Sequence, residues 1–453
     1  MARLSKSDLQ PRLFSNKRLA ALLIPLIIER ILDASLGLAD TIMVASVGES
    51  AVASVSLVDS INFLFLFLFS ALAAGGAVVV AQYIGQQNKE KASLAAKQLI
   101  YSSTFVALVF AITFFVLNKQ ILHLLYGKLE YQIMRQAEIY FAITALSYPF
   151  LGVFNSGASL FRAMGDSRTS MRVSLVMTIT NIGGNALLIY GFNLGVFGAA
   201  ASTLFSRILG ASIMLVLLHR KKEILIIDKL LKIRLDFPMI RRILRIGIPN
   251  GIESGIFHIG KISVQTFIAT LGTTALAANA IANTLASILN IPGGAIGLAT
   301  LTVVGQCMGA QEKEQAVYYA RKLMKITYIT VILLAIPLLL TTDLLVSMFN
   351  LSTAAATLAN EVLQILLIVN ALLWPLGFTL PQVLRAAGDV AYTMGVSIAS
   401  MWVFRVGLSY ILAFTLNLGL HGIWFAMYVD WLFRSILFGT RFFRGKWTEK
   451  HVI

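Results

Sequence analysis

The chain has 453 residues, of which 58% are hydrophobic and 13% charged, with a mean hydropathy of +0.81; soluble domains carry roughly a quarter charged residues, so an aqueous globular fold is excluded. The formal net charge of +16 would suit nucleic acid, but the basic residues gather in alternate loops rather than one patch, which excludes that partner and points to a lipid bilayer. The single cysteine, Cys307 in an apolar stretch, permits no internal disulfide and reads as a small buried side chain.

A helix needs about 20 apolar residues to cross the hydrocarbon core. Twelve stretches meet this, near 17–46, 52–82, 95–118, 135–160, 169–192, 195–218, 243–271, 275–304, 318–341, 356–381, 390–416 and 420–440. The first follows the basic residues Arg3, Lys6, Arg12, Lys17 and Arg18, as a signal peptide would. Its apolar run instead meets Glu29-Arg30 without a small-residue cleavage site and continues to Val47, the pattern of a retained span.

An ionisable group at mid-bilayer costs about 2.5–3.5 kcal/mol on insertion scales, so it needs a partner, a cavity or a function. The first span holds three acids, Glu29, Asp33 and Asp40, whose spacing places them within about 40° of one helix face. Glu29 and Asp33 have Arg30 close by; Asp40 has no basic residue within a turn. It is either a carboxylate hydrogen-bonded for structure or a proton or cation site. In the fifth span Asn181 and Asn185 share a face, and the sixth brings Thr203 in Gly198-Ala-Ala-Ala-Ser-Thr203, whose small residues permit close helix contact. The seventh span holds Glu253, His258 and Lys261, the eleventh Arg405, and the twelfth Asp430 and Arg434, spaced for an ion pair. Glu253 and Lys261 are two turns apart and about 80° around the helix, a poor geometry for a direct bond.

Basic residues collect in cytoplasmic loops. Segment 219–245 holds nine of them, whereas the alternate side holds only Lys119, Lys128 and Arg135, so both termini and this segment are expected in the cytoplasm. The segment reads as a solvated amphipathic linker over anionic lipid.

The chain repeats internally. An ungapped shift of 224 lays Pro25 on Pro249, Glu29 on Glu253, Gly48 on Gly272, Gln82 on Gln306 and Gly85 on Gly309; a shift of 223 lays Arg162-Ala-Met-Gly-Asp166 on Arg385-Ala-Ala-Gly-Asp389. The expected fold is an all-α membrane protein with twelve transmembrane helices in two six-helix bundles. Because six is even, the copies run the same way and a pseudo-two-fold along the membrane normal relates them. The expected division is 1–218, a basic linker 219–242, and 243–453. No P-loop, His-Glu-x-x-His or cluster of His or Cys occurs, so the chain does not read as an enzyme. Uphill transport would draw on an ion gradient, in which one charge moved down 100 mV yields about 2.3 kcal/mol.

The string Leu38-Ala-Asp40-Thr-Ile-Met-Val, the loop Gln82-Tyr-Ile-Gly85-Gln with its echo Gln306-Cys-Met-Gly309-Ala, and the doubled Arg-Ala-x-Gly-Asp resemble the multidrug and toxic compound extrusion (MATE) transporters over essentially the whole chain. The resemblance implies two helical lobes exporting lipophilic, mostly cationic compounds by alternating access in exchange for protons or sodium. It implies a cation site at Asp40, Asn181 and Thr203, with Asn185 standing where many members carry a second Asp. That departure removes a negative charge and favours protons over sodium, which would otherwise sit at Asp40, Asn181 and Thr203. Around Asn370 and Trp374 no acid stands in for the second-lobe cation site of NorM-type members, and the likeness is closer to the DinF-like branch. The expected setting is the cell inner membrane, with no cofactor, no nucleic-acid partner and a monomeric chain. The alternative is a flippase of lipid-linked precursors or other amphiphiles.

Overall fold

In hydrocarbon the backbone satisfies its own polar groups only in helices or closed barrels. The computed structural model describes all residues except 1–11, 128–129, 221–223, 229, 231, 350 and 451, and among the described residues there is no strand. Arg3, Lys6 and Lys128 of the charge pattern, and part of the linker 219–242, lie outside the described residues. The chain divides into two compact units, Phe14–Gly251 and Ile252–Val452, the second also taking the residues through Leu13. The dividing point falls inside a helix.

The first unit contains α1 (Asn16–Ala45), α2 (Glu49–Gly85), α3 (Lys89–Tyr126), α4 (Tyr131–Leu146), α5 (Tyr148–Ala163), α6 (Ser167–Asn185) and α7 (Gly195–Arg220), with α6 continuing as a π-helical turn over Ala186–Gly191. Side-chain caps start several of these helices: Ser15 accepts from the Arg18 N–H at 3.2 Å, Asn88 from the Lys91 N–H at 3.0 Å and Asp166 from the Thr169 N–H at 3.2 Å. α8 (Phe237–Thr270) crosses into the second unit, which continues with α9 (Thr273–Gly309), α10 (Lys313–Leu340), α11 (Thr342–Ser347), α12 (Thr353–Trp374), α13 (Leu380–Ala386), α14 (Val390–Ser400) and α15 (Gly419–Phe443). π-helical turns interrupt it at Pro375–Thr379, Met401–Leu408 and Ile411–Thr415.

Each of the twelve expected spans coincides with a helix or a run of helical pieces. Eight are long and apolar enough to cross a membrane outright, and α4 with α5, bent by 45°, makes a ninth. The remaining three, α1, α8 and α15, have 30, 34 and 25 residues and are the helices that hold most of the intramembrane charges. The break at Ser147 follows from Pro149, which lacks an N–H and whose ring opposes the carbonyl of Ala145. Burial runs inside out relative to a soluble helix: on α3, Phe105, Leu108, Val109, Ile112, Phe115 and Val116 form an exposed apolar stripe, the face a helix turns to acyl chains.

The linker departs from the expected amphipathic surface segment. Leu225 and Ile227 are buried, the Ile226 N–H donates to Ser93 Oγ at 2.8 Å, and Gln98 and Tyr101 of α3 donate to the carbonyls of Arg234 and Leu230 at 2.7 and 3.0 Å. Between α7 and α8 its described residues are irregular chain pinned to α3. α8 begins at Phe237 rather than near 243 because Asp236 accepts from the Met239 N–H at 2.8 Å and Pro238 stands in the first turn.

The repeat extends to the backbone. Left-handed φ values recur in register: Gln87 (60°) and Gln311 (62°), Asn193 (54°) and Asn417 (54°), Gly195 (53°) and Gly419 (53°). So does a close approach. A Cβ on Gly198 of α7 would lie 3.0 Å from Leu188 Cβ and 3.1 Å from its carbonyl carbon, and one on the matching Gly422 of α15 would lie 2.8 Å from the Leu412 carbonyl carbon. In both halves a small residue lets a helix lie on the π-helical turn before it. Gly198→Val and Gly422→Val are each expected to destabilise the folded protein by about 1–3 kcal/mol through overpacking, read as a lowered melting temperature in detergent, whereas Gly183→Ala, with open space at its Cβ, is expected to change it little.

Candidate functional site: polar networks inside the two bundles

Asp40, in the last two turns of α1, accepts a hydrogen bond from Asn185 Nδ2 of α6 at 2.6 Å. The same nitrogen lies 3.3 Å from Asn181 Oδ1, one turn earlier, and Asn181 Nδ2 donates to Thr203 Oγ1 of α7 at 3.2 Å. Asn181 and Asn185 are 2% and 1% exposed. The four residues named from the sequence thus form one chain across three helices, with α6 held to α7 also by Ser202 Oγ donating to the Asn181 carbonyl at 2.8 Å. As candidate sodium ligands Asp40, Asn181 and Thr203 are placed together, but Asn181 Oδ1 and Thr203 Oγ1 already accept amide N–H groups. Each of these oxygens keeps a second lone pair, and the buried Asn185 Oδ1 has no hydrogen-bond partner, so the cluster still offers acceptors beside Asp40. Among the described residues no group of three His, Cys, Asp or Glu is arranged to hold a metal ion.

A second carboxylate lies nearby that sequence reasoning passed over. Asp59 of α2 accepts from Asn62 Nδ2 at 3.1 Å and from the Tyr140 hydroxyl at 3.4 Å. Asn62 in turn accepts from the buried Tyr148 hydroxyl at 2.7 Å. Arg207 of α7 donates to Ser147 Oγ at 2.6 Å, at the break between α4 and α5, and its charge acts on both Asp40 and Asp59. The signal for Asp59 was available, since a lone acid inside an apolar span is the same anomaly that singles out Asp40.

Glu29 and Asp33 part company despite sharing Asp40's helix face. Glu29 is buried, bonded to Arg162 Nη1 of α5 at 3.1 Å and accepting from Ser170 Oγ of α6 at 2.9 Å. Asp33 is exposed and lies 3.9 Å from Arg30. The second half repeats the buried pair: Glu253 of α8 accepts from Arg385 Nη2 of α13 at 2.6 Å. Arg162 and Arg385 open the doubled Arg-Ala-x-Gly-Asp loops, whose glycines take left-handed φ of 83° and 96° at Gly165 and Gly388. The closing aspartates tie the loops down, Asp166 as the cap of α6 and Asp389 by its 2.7 Å bond from Arg441 Nε. The supporting role foreseen for Glu253 is thus that of an ion-pair partner to Arg385, while Lys261 and His258 lie further along α8.

In α15, Arg434 Nε donates to Asp430 Oδ1 at 2.8 Å, as the i, i+4 spacing requires, and Ser400 also donates to that carboxylate. Arg405 Nε stands 3.8 Å from Asp430 Oδ2. His258 packs its ring against Phe257, centroids 6.4 Å apart.

Two helical units with a repeated ion pair, and with polar chains buried inside helices long and apolar enough to cross a membrane, make this a multi-pass membrane protein. The family model MatE matches residues 25–187 and 249–411, two segments in the register of the internal repeat that together take in well over half the chain. The chain belongs to this family of multidrug efflux transporters. It is 26% identical over 436 residues to the uncharacterized transporter YisQ of Bacillus subtilis, covering 94% of each chain. It is 25% identical over 447 residues to the probable multidrug resistance protein NorM of Thermotoga maritima, covering 97% of this chain and 94% of the relative. Among solved structures, MATE in the bent conformation superposes with a TM-score of 0.87 at 21% identity, over 95% of this chain and 96% of that one; at that identity the likeness speaks for the fold.

The paired Glu and Arg side chains are 11–15% exposed, and removing one partner of a buried pair strands the other charge. Arg162→Ala and Arg385→Ala are each expected to cost about 3–5 kcal/mol of stability, measured by thermal unfolding in detergent. The double variants Glu29→Gln/Arg162→Ala and Glu253→Gln/Arg385→Ala are expected to recover part of that loss.

Proposed function

We propose that the chain is an efflux antiporter of the cell inner membrane, with both termini cytoplasmic, that exports lipophilic, mostly cationic compounds against an inward flow of protons. Sodium is the alternative coupling ion. The protein acts as a monomer, and its lobes 1–218 and 243–453, joined by 219–242, alternate access for the cargo. The observation that carries this reading is the chain Asp40–Asn185–Asn181–Thr203, in which a carboxylate in α1 is held by an amide donor in α6. When Asp40 is charged, the Asn185 N–H stabilises it and the site offers a negative charge to a cationic drug. When Asp40 takes a proton, both the charge and the reason for that short bond go, so drug release and a shift of α1 against α6 are favoured together. The acids and amides of this half suit a cationic cargo. The relatives named as probable multidrug resistance proteins support the drug class.

Asp40→Asn is expected to reduce drug exchange to background while sparing the amount of protein in the membrane; wild-type efflux by this variant would refute the proposal. Glu253→Gln is expected to lower stability more than coupling, and the reverse ranking would move coupling to the second half. In proteoliposomes, efflux of a fluorescent cationic drug is expected to follow an imposed pH gradient whether or not sodium is present. Efflux that requires sodium and ignores the pH gradient would favour the sodium alternative, and lipid crossing the bilayer without ion-coupled drug flux would favour the flippase.

A further inference from the structure

The second half contains cations that its acids do not neutralise. The carboxylate of Asp430 is fully buried and taken up by Arg434 Nε and Ser400, while Arg434 Nη2 donates to the Ser397 carbonyl at 2.9 Å. Glu253 is taken up by Arg385. Arg405, 8% exposed, is left with a 3.8 Å approach of its Nε to Asp430 and the ring of Phe257 at 5.5 Å; no hydrogen bond among the described residues engages its two terminal nitrogens. Lys261 has no ion-pair partner among the described residues. Its helix face is set by Phe257, Val264 and Ile268, which pack into the second unit, so Lys261 points inward by periodicity and yet is exposed. Lys261 thus keeps an accessible ammonium on the face of α8 that also carries Phe257 and Val264.

The buried polar atoms without a partner in this half are of both kinds: Asp430 Oδ2, Glu253 Oε2 and Asn370 Oδ1 can only accept, whereas others offer a donor. Trp424 Nε1, Tyr428 OH and Trp431 Nε1, on one face of α15, are buried without a partner, as is Nδ2 of the fully buried Asn370. All can donate a hydrogen bond. Arg405 itself stands on the π-helical turn Met401–Leu408, an irregularity that often marks a binding position. The apolar wall is aromatic: Phe257 and Phe378 have ring centroids 6.2 Å apart, as do Phe378 and Trp431.

We infer that the second half carries an anion subsite, built on Lys261 and Arg405, that takes the oxyanion headgroup of an amphiphile whose apolar body lies along Phe257, Phe378 and Trp431. A guanidinium with free terminal nitrogens presents the planar fork that matches a carboxylate or phosphate, and Lys261 adds a point charge. The subsite is separate from the Asp40 network, so the protein has a cation-selecting polar chain in one half and an anion-selecting one in the other.

All five tryptophans lie after residue 373, so intrinsic fluorescence reports on the second half. Purified full-length protein in nanodiscs would be titrated with hexanoate and hexyl phosphate, with hexyltrimethylammonium as the cationic control. The anions are expected to give saturable changes that the control does not. Arg405→Gln is expected to weaken them at least tenfold, Arg405→Lys less, and Lys261→Ala several-fold. Because Lys261 is exposed, that variant tests the proposal even where an Arg405 variant unfolds. Asp40→Asn is expected to leave the binding unchanged, so failure of the coupling proposal and failure of this one are distinguishable. Repeating the titration in discs with and without phosphatidylglycerol separates the sources: competition by the lipid assigns the subsite to a headgroup, and no competition assigns it to a soluble organic anion. Equal response to the cationic control, no response to either anion, or anion binding unaltered in both Arg405→Gln and Lys261→Ala would overturn the inference.

Discussion

A carboxylate inside hydrocarbon has no water to solvate it, and the arrangement of both bundles depends on meeting that need. Glu29, midway along α1, is met by Arg162 from α5 and by Ser170 from α6. The pair joins the first helix of the half to its fourth and fifth spans, and the loop that follows Arg162 is shaped to deliver it. Gly165 takes the left-handed turn and Asp166 caps the next helix, so the five-residue motif is one device for presenting a cation and restarting the chain. The second half solves the same problem with Glu253, Arg385, Gly388 and Asp389. Desolvation consumes much of the attraction within such a buried pair, so its clearest energetic mark is the cost of removing one partner.

The spans were legible because a bilayer enforces length and hydrophobicity on each helix separately. The repeat was legible too, since equal offsets survive without any knowledge of contacts. The pairing was not. Glu29 and Arg162 are 133 residues apart and Glu253 and Arg385 are 132 apart, and in the sequence Arg30 looks the nearer partner of Glu29. Periodicity placed Glu29, Asp33 and Asp40 on one face correctly, but a face is not a depth or an environment. Three positions on one stripe of α1 proved to be an ion-paired, an exposed and a hydrogen-bonded carboxyl. The amide cluster at Asn181, Asn185 and Thr203 could be assembled from i, i+4 spacing and family likeness together, whereas Asp59, as much a lone acid in an apolar span as Asp40, carried the same signal without a family motif beside it. The linker was misjudged for a related reason: Leu225 and Ile227 suit a lipid surface and a protein groove equally well, and only the bonds to Ser93, Gln98 and Tyr101 distinguish the two.

Once the repeated pairs are set aside, what remains in each half differs in sign. The first retains Asp40 and Asp59 with Arg207 between their influences, and the second retains Lys261 and Arg405 with Asp430 already taken up by Arg434. The repeat therefore keeps the buried Glu–Arg pair in both halves and lets the charges beyond it differ. Asn185 illustrates the first half's choice. An aspartate there would put a second carboxylate against Asp40, at a contact of 2.6 Å where now an amide donates. With asparagine at 185, the negative charge of the neighbourhood comes instead from Asp59, held on α2 by Asn62 and Tyr140. Two carboxyls on separate helices, each with its own donors, can lose or gain charge without colliding, and each change alters what binds its helix to the next. Under the proposed coupling, a proton arriving at Asp40 would act on the packing of α1 against α6 while Asp59, bonded to Tyr140, holds α2 to α4, which would give a single titration a mechanical direction.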